Sequence, residues 1–117
     1  MTSNQQRVSI ITGAGMGLGL AASKELAAQN HHLSLVDYNE QALNDAKQEI
    51  LNEYPNTQII TVVADVSNEE AVKNYVDRTM EAFGRIDALY NNAGIEGKQA
   101  GITEYDLTVF KKVIDLN

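Results

Sequence analysis

Thr12-Gly13-Ala14-Gly15-Met16-Gly17-Leu18-Gly19 follows a short apolar run, Val8 to Thr12, and opens a helical pattern. A strand, a glycine loop and a helix N-terminus thus come in succession. Glycines permit a sharp turn and a close backbone approach, while the first helical N–H groups, unpaired within the helix, point outward along the positive end of its dipole. Such a segment suits a nucleotide pyrophosphate, with Gly13, Gly15, Met16, Gly17, Leu18 and Gly19 as candidate contacts. A G-x-G-x-x-G/A pattern fits only as Gly17, Gly19 and Ala22, which lies several residues into the helix and leaves Gly13 and Gly15 unexplained. A loop from Gly13 to Gly17, with Gly19 packing the helix against the sheet, fits the strand end better. No Gly-Lys-Ser/Thr follows, which excludes a P-loop.

Working outward, the helix after the loop carries Leu18, Ala21, Ala22 and Leu26 at helical spacing, a candidate buried face. His32 to Asp37 reads as the next strand. A second helix runs from about Glu40 to Tyr54, with Asn39 as its N-cap and a stripe of Leu43, Ala46, Ile50 and Tyr54; Pro55 ends it. Gln58 to Ala64 is a β-branched run of the kind buried on both faces of a parallel sheet. Ser67 and Glu70 form a capping box before a helix with Val72, Tyr75, Val76, Thr79 and Phe83 on one face, closed by Gly84. Asp87 to Asn91 is a fourth strand. A loop, Gly94 to Gly101, then precedes a last helical pattern with Leu107, Phe110, Val113 and Ile114. Strict alternation predicts an α/β fold: a Rossmann-like, doubly wound parallel sheet that stops after about four strands.

The balance of residues narrows the partners. Nine basic against 16 acidic side chains give a net charge of -7, which disfavours nucleic acid and anionic membrane surfaces, since both need a basic patch. With 44% hydrophobic and 21% charged residues, the 117-residue chain fits one globular domain, expected over residues 7–117 behind a flexible stretch at 1–6. No stretch approaches the ~20 apolar residues of a membrane span, so a cytoplasmic location is the default expectation. The chain has no Cys, which removes disulfides and thiolate chemistry. His31 and His32, without a third ligand nearby in sequence, read as surface histidines rather than a metal site. Glu96, in the loop beyond the fourth strand, reads as a solvated loop acid or a substrate-side residue, and Lys111 and Lys112 as a solvated helix face.

Asp37 ends the second strand, 24 residues after Gly13, close to the ~20-residue spacing of a ribose-binding carboxylate. A carboxylate there accepts hydrogen bonds from both adenosine ribose hydroxyls and repels a 2′-phosphate. NAD is therefore the expected cofactor rather than NADP. Neither Met16 nor Tyr38 offers a cation for such a phosphate. A bare structural turn with a solvated strand-end acid is the competing reading.

Taken together these motifs resemble the N-terminal half of the short-chain dehydrogenase/reductase family. The likeness runs from about Arg7 to Asn117: Thr12-Gly13-x-x-x-Gly17-x-Gly19 matches the family's glycine loop, Asp65-Val66 its D-V pair, and Asn91-Asn92-Ala93-Gly94 its N-N-A-G. By that resemblance Asp65 would bond the adenine amino group, the Val66 backbone would contact the ring, and Asn92, Ala93 and Gly94 would line the cofactor's ribose. Asn117, in the family's V-x-x-N position, would hold through its main chain a water leading to the catalytic lysine, which makes it a candidate catalytic residue; a frayed terminal residue is the other reading.

The resemblance implies an NAD-dependent oxidoreductase interconverting a secondary alcohol and a ketone, a homo-oligomer acting on a small substrate. The family's catalytic Ser and Tyr-x-x-x-Lys have no match here. Tyr38, Tyr54, Tyr75, Tyr90 and Tyr105 are followed four residues on by Ala42, Gln58, Thr79, Gly94 and Val109. Asp115 in the last turn, with no Gly after it, also makes an unfavourable helix terminus, so a truncated, inactive cofactor-binding half is expected. The alternative is a non-catalytic dinucleotide-binding or regulatory module, or an inactive gene fragment.

Overall fold

The computed structural model describes residues 6–15, 17–65 and 69–92. Four strands alternate with three helices: β1 (Val8–Thr12), α1 (Gly17–Ala28), β2 (His32–Asp37), α2 (Glu40–Glu53), β3 (Ile59–Val63), α3 (Glu69–Phe83) and β4 (Ala88–Asn91). The strands form one parallel sheet in the order β3-β2-β1-β4, with Ile11 level with Leu35 and Tyr90, and Asp37 level with Val63. The chain thus starts at the sheet centre, runs outward to β3 and crosses back to β4. This is the doubly wound arrangement expected from the alternation.

Period-two alternation along the strands splits the core in two. Ile11, Leu33, Leu35 and Ile59 face α1 and α2 and pack with Leu26, Ala27, Leu43, Ala46 and Ile50. On the other side Ile10, Val36 and Val62 meet Val72, Tyr75 and Val76 of α3. Burial on both faces explains why the central strands read as continuous apolar runs. Two polar pairs lie within these layers: Thr79 Oγ1 donates to Ser34 Oγ at 2.8 Å, and Ser9 Oγ shares a 2.7 Å hydrogen bond with His31 Nδ1.

The helix ends follow their local chemistry. Asn39 Oδ1 accepts from the Ala42 N–H at 2.9 Å, the expected N-cap of α2, and Tyr54 is its C-cap. Gly84, at φ 78°, ends α3 in the left-handed conformation that glycine adopts without strain. The capping box at Ser67 and the last helical pattern, with Leu107, Phe110, Val113 and Ile114, lie outside the described residues. So do residues 1–5 of the stretch expected to be flexible, whereas the Gln6 side chain donates to the Asn30 carbonyl at 2.6 Å.

Three expectations are corrected. The run from Gln58 to Ala64 is not buried on both faces: β3 is the outer strand of the described sheet, and within it only Ile59 and Val62 are buried. The buried face of α1 is Gly19, Ser23, Leu26 and Ala27, not the stripe through Leu18, Ala21 and Ala22. Gly19 sets that rotation, because a Cβ there would overlap the Gly13 carbonyl oxygen; only a glycine lets α1 turn this side onto the loop. Leu18 points away and is 64% exposed. Nor is His31 a surface histidine: at 8% exposure it is buried beneath the α1–β2 turn against Ser9. His32 is half-buried, stacked on Phe83 with ring centroids 5.6 Å apart, and its Nδ1 accepts from the Gln58 N–H.

Candidate dinucleotide site

The carboxyl ends of the four strands gather the candidate residues. β1 ends at Thr12 and the chain turns sharply, with Gly13 at φ 65° and Gly17 at φ 60° in the left-handed region. The turn is tied to the neighbouring strand by a 3.1 Å bond from the Ala14 N–H to the Val36 carbonyl. Gly17 starts α1, and no described atom outside its chain neighbours and its own helix lies within 4 Å of where its Cβ would be. The first turn of α1 carries no acidic residue. Anions are favoured there, since the helix dipole and unpaired N–H groups are offset by no carboxylate of the same turn.

Asp37 stands beside this loop. Its Oδ2 accepts from the Gly15 N–H at 2.9 Å, its Oδ1 from the Asn39 N–H at 3.3 Å, and its own carbonyl accepts from Ala64 N–H at 2.9 Å. The glycine loop, the end of β2 and the end of β3 are therefore one hydrogen-bonded unit. Among the described residues, no lysine or arginine forms an ion pair with Asp37. On the other side of β1, Thr12 Oγ1 donates to Asn91 Oδ1 at 2.6 Å, joining the loop's first residue to β4. Asn92 follows, with a buried side-chain Nδ2 that has no hydrogen-bond partner among the described residues. A buried N–H without an acceptor is costly, so a polar ligand group bound here would satisfy a donor that the described residues leave unpaired.

The structure brings Gly13, Gly15, Gly17, Leu18, Gly19, Asp37, Asp65 and Asn92 to this one end of the sheet, at the loops that follow the strands. Gly19 is the exception in role: it is buried against the loop and has no side chain to offer a ligand. Met16, Val66, Ala93, Gly94 and Asn117 lie outside the described residues, as does Glu96. Sequence reasoning gives two nearby residues no place in the site: Tyr38 is noted only as lacking a cation, and Val63 is placed in a strand expected to be buried on both faces. Tyr38, 79% exposed, and Val63, 50% exposed and level with Asp37 in the strand register, are large apolar groups left uncovered beside the acid.

The donor set fits a dinucleotide. It offers a loop that tolerates close approach, a helix N-terminus for the pyrophosphate, a carboxylate for ribose hydroxyls, and apolar surface for a base. Among the described residues, no group of His, Asp or Glu is arranged to hold a metal ion, and no helix is long and apolar enough to cross a membrane.

Comparison with known proteins agrees with this geometry. Residues 7–117 match the family model described as short chain dehydrogenase. Levodione reductase of Leifsonia aquatica is 47% identical over 111 residues, 95% of this chain and 42% of the relative. The crystal structure of levodione reductase superposes with a TM-score of 0.74 over 92% of this chain and 42% of that one. A Burkholderia phymatum short chain dehydrogenase/reductase in complex with NAD gives a TM-score of 0.77 at 29% identity, covering 99% of this chain and 45% of that one. L-Sorbose reductase from Gluconobacter frateurii, complexed with NADPH and L-sorbose, gives 0.72 at 31% identity, covering 76% and 34%. The chain thus spans less than half the length of these relatives.

Proposed function

The chain belongs to the short-chain dehydrogenase/reductase family, and we propose that it is the NAD-binding portion of an oxidoreductase that interconverts a secondary alcohol and a ketone. The observation that carries the cofactor reading is the Asp37 carboxylate fixed beside the glycine loop by the Gly15 N–H. Similar proteins hold either NAD or NADPH, and the sign of the charge at residue 37 is the argument for NAD. An uncompensated carboxylate accepts hydrogen bonds from ribose hydroxyls and opposes a 2′-phosphate.

Bound NAD would supply hydride acceptance and, once reduced, hydride donation. The chain's own residues would bind and orient it. Gly13 to Gly17 and the N-terminus of α1 would take the pyrophosphate, Asp37 the adenosine ribose, and Asp65 and Val66 the adenine. Asn92, Ala93 and Gly94 would lie along the cofactor, and Asn117 would anchor the water of a proton relay. A proton must also leave the alcohol as hydride departs, and no Tyr in the 117 residues has the Lys partner that lowers its pKa toward neutrality. The 117 residues alone are therefore expected to bind NAD and to form no NADH from secondary alcohols.

Asp37→Ala provides the test. Calorimetric titration of the purified variant should show NAD binding weakened by about 1.5 to 3 kcal/mol, the scale of a hydrogen bond to a charged group. An unchanged dissociation constant would place the ribose elsewhere.

A further inference from the structure

We infer that His32 is an acid-operated clasp at the amino end of the sheet: its neutral ring closes the first rung between β2 and β3 beside the end of α3, and a proton on Nδ1 opens that joint. Gln58 is gripped from β2 at two points. Its carbonyl accepts from the Leu33 N–H at 2.9 Å, as in a parallel ladder, whereas its own N–H donates to Nδ1 of the His32 ring at 3.1 Å. At the far end of the same strand the Ala64 N–H donates to a backbone carbonyl, that of Asp37. A side chain thus stands at the first rung where a carbonyl stands at the last. The difference matters in acid, because a carbonyl stays an acceptor while an imidazole nitrogen accepts only without a proton. A backbone amide can only donate, so this bond fixes the neutral ring with its proton on Nε2.

The ring is held on its other side too. It stacks on Phe83, the last residue of α3, with centroids 5.6 Å apart and 15° between the planes, and the His32 N–H donates to the Arg7 carbonyl at 2.8 Å. Protonation therefore sets one N–H against another in a joint whose β2 side is tied to β1. What yields is the start of β3, where Gln58 is exposed and water can take up the freed amide.

Charges around the ring do not set this response. Asn56 to Ile59 carries none, Arg78 and Glu81 of α3 are exposed, Arg85 and Asp87 pair with each other, Glu53 pairs with Lys24, and His31 is turned to Ser9. Arg7 acts on His31 but not on His32, whose pKa burial alone lowers from the ordinary 6.5. The clasp is thus closed above 6.5 and opens as pH falls through the lowered value.

The experiment follows the ring nitrogens and backbone amides of the purified chain by NMR through an acid titration, with amide hydrogen exchange measured at its two ends. At about pH 7.5 the His32 ring should carry its proton on Nε2 and leave Nδ1 bare. As Nδ1 gains a proton, the Gln58 amide resonance should shift with the midpoint of the His32 ring, not with that of His31. Its protection, corrected for the intrinsic exchange rate, should fall about tenfold, the effect of losing one hydrogen bond. Ala64 should keep its protection, because its acceptor is a carbonyl. In His32→Phe, which keeps an aromatic ring against Phe83 but removes the acceptor, the Gln58 amide should be unprotected at both ends of the titration. A neutral ring with its proton on Nδ1, a Gln58 amide indifferent to the ring's titration, or protection lost equally at Gln58 and Ala64 would overturn the inference. So would a Gln58 amide still protected in His32→Phe. Should that variant fail to fold, the ring tautomer and the shared midpoint in the unaltered chain decide the matter. None of these readouts needs a nucleotide, so the inference stands or falls apart from the cofactor reading.

Discussion

His31 shows how a single side chain changes meaning once its surroundings are known. In sequence it is half of a polar pair ahead of a strand, yet folding buries it against Ser9, within reach of the charges of Arg7 and Asp87. Burial, reinforced by the Arg7 charge and partly offset by Asp87, lowers its pKa below the ordinary value near 6.5. A group whose folded pKa is depressed binds fewer protons in the native state, so the stability it contributes is present above 6.5 and is lost as pH falls through the folded value. Asp87, held low first by its bond from Arg85 and capping the Val8 N–H at 2.8 Å, titrates below the histidine window. Thermal melts should therefore fall between about pH 7.5 and 5.5, and His31→Phe should flatten that fall. Half-buried His32, whose pKa is also lowered by burial, accounts for the remainder. An identical pH dependence in the variant would remove His31 from the account.

Elements were more legible than the faces they bury. The N-cap of α2 is a local matter: Asn39 has extended backbone angles and its Oδ1 reaches the Ala42 N–H at 2.9 Å. Replacing it with Ala should cost about 1 kcal/mol in a denaturant melt, while Asn39→Asp should be near neutral. A loss in Asn39→Asp equal to that in Asn39→Ala would show that the cap is not the source. Residues whose roles depend on neighbours within a turn, such as Asn39, Gly84 and the Asp37 strand end, could be read directly. The face of α1 could not, because it is set by the approach of Gly19 to the Gly13 carbonyl, a contact between backbones that no apolar pattern records. Leu18, in the first turn, is exposed for the same reason. The buried Ser34–Thr79 and Ser9–His31 pairs were hidden likewise, since each joins residues 45 and 22 positions apart.

At the scale of the whole molecule, the sheet order β3-β2-β1-β4 sends the chain outward from β1 to β3 and then back across to β4, so the switch of direction lies between β1 and β4, at the loop that follows β1. Ligand sites in open α/β sheets form at such a switch of direction, outside the carboxyl ends of the strands. The glycine loop after β1 and the acid ending β2 were legible from the sequence because residue type and spacing mark them; their coupling through the Gly15 N–H was not, because it depends on how β1 and β2 lie side by side. The central claim is that this convergence selects NAD, and parallel calorimetric titrations of the unaltered chain with NAD and with NADP at one salt concentration test it most directly. The account predicts saturable binding of NAD, tighter than that of NADP. Equal or tighter binding of NADP would contradict it.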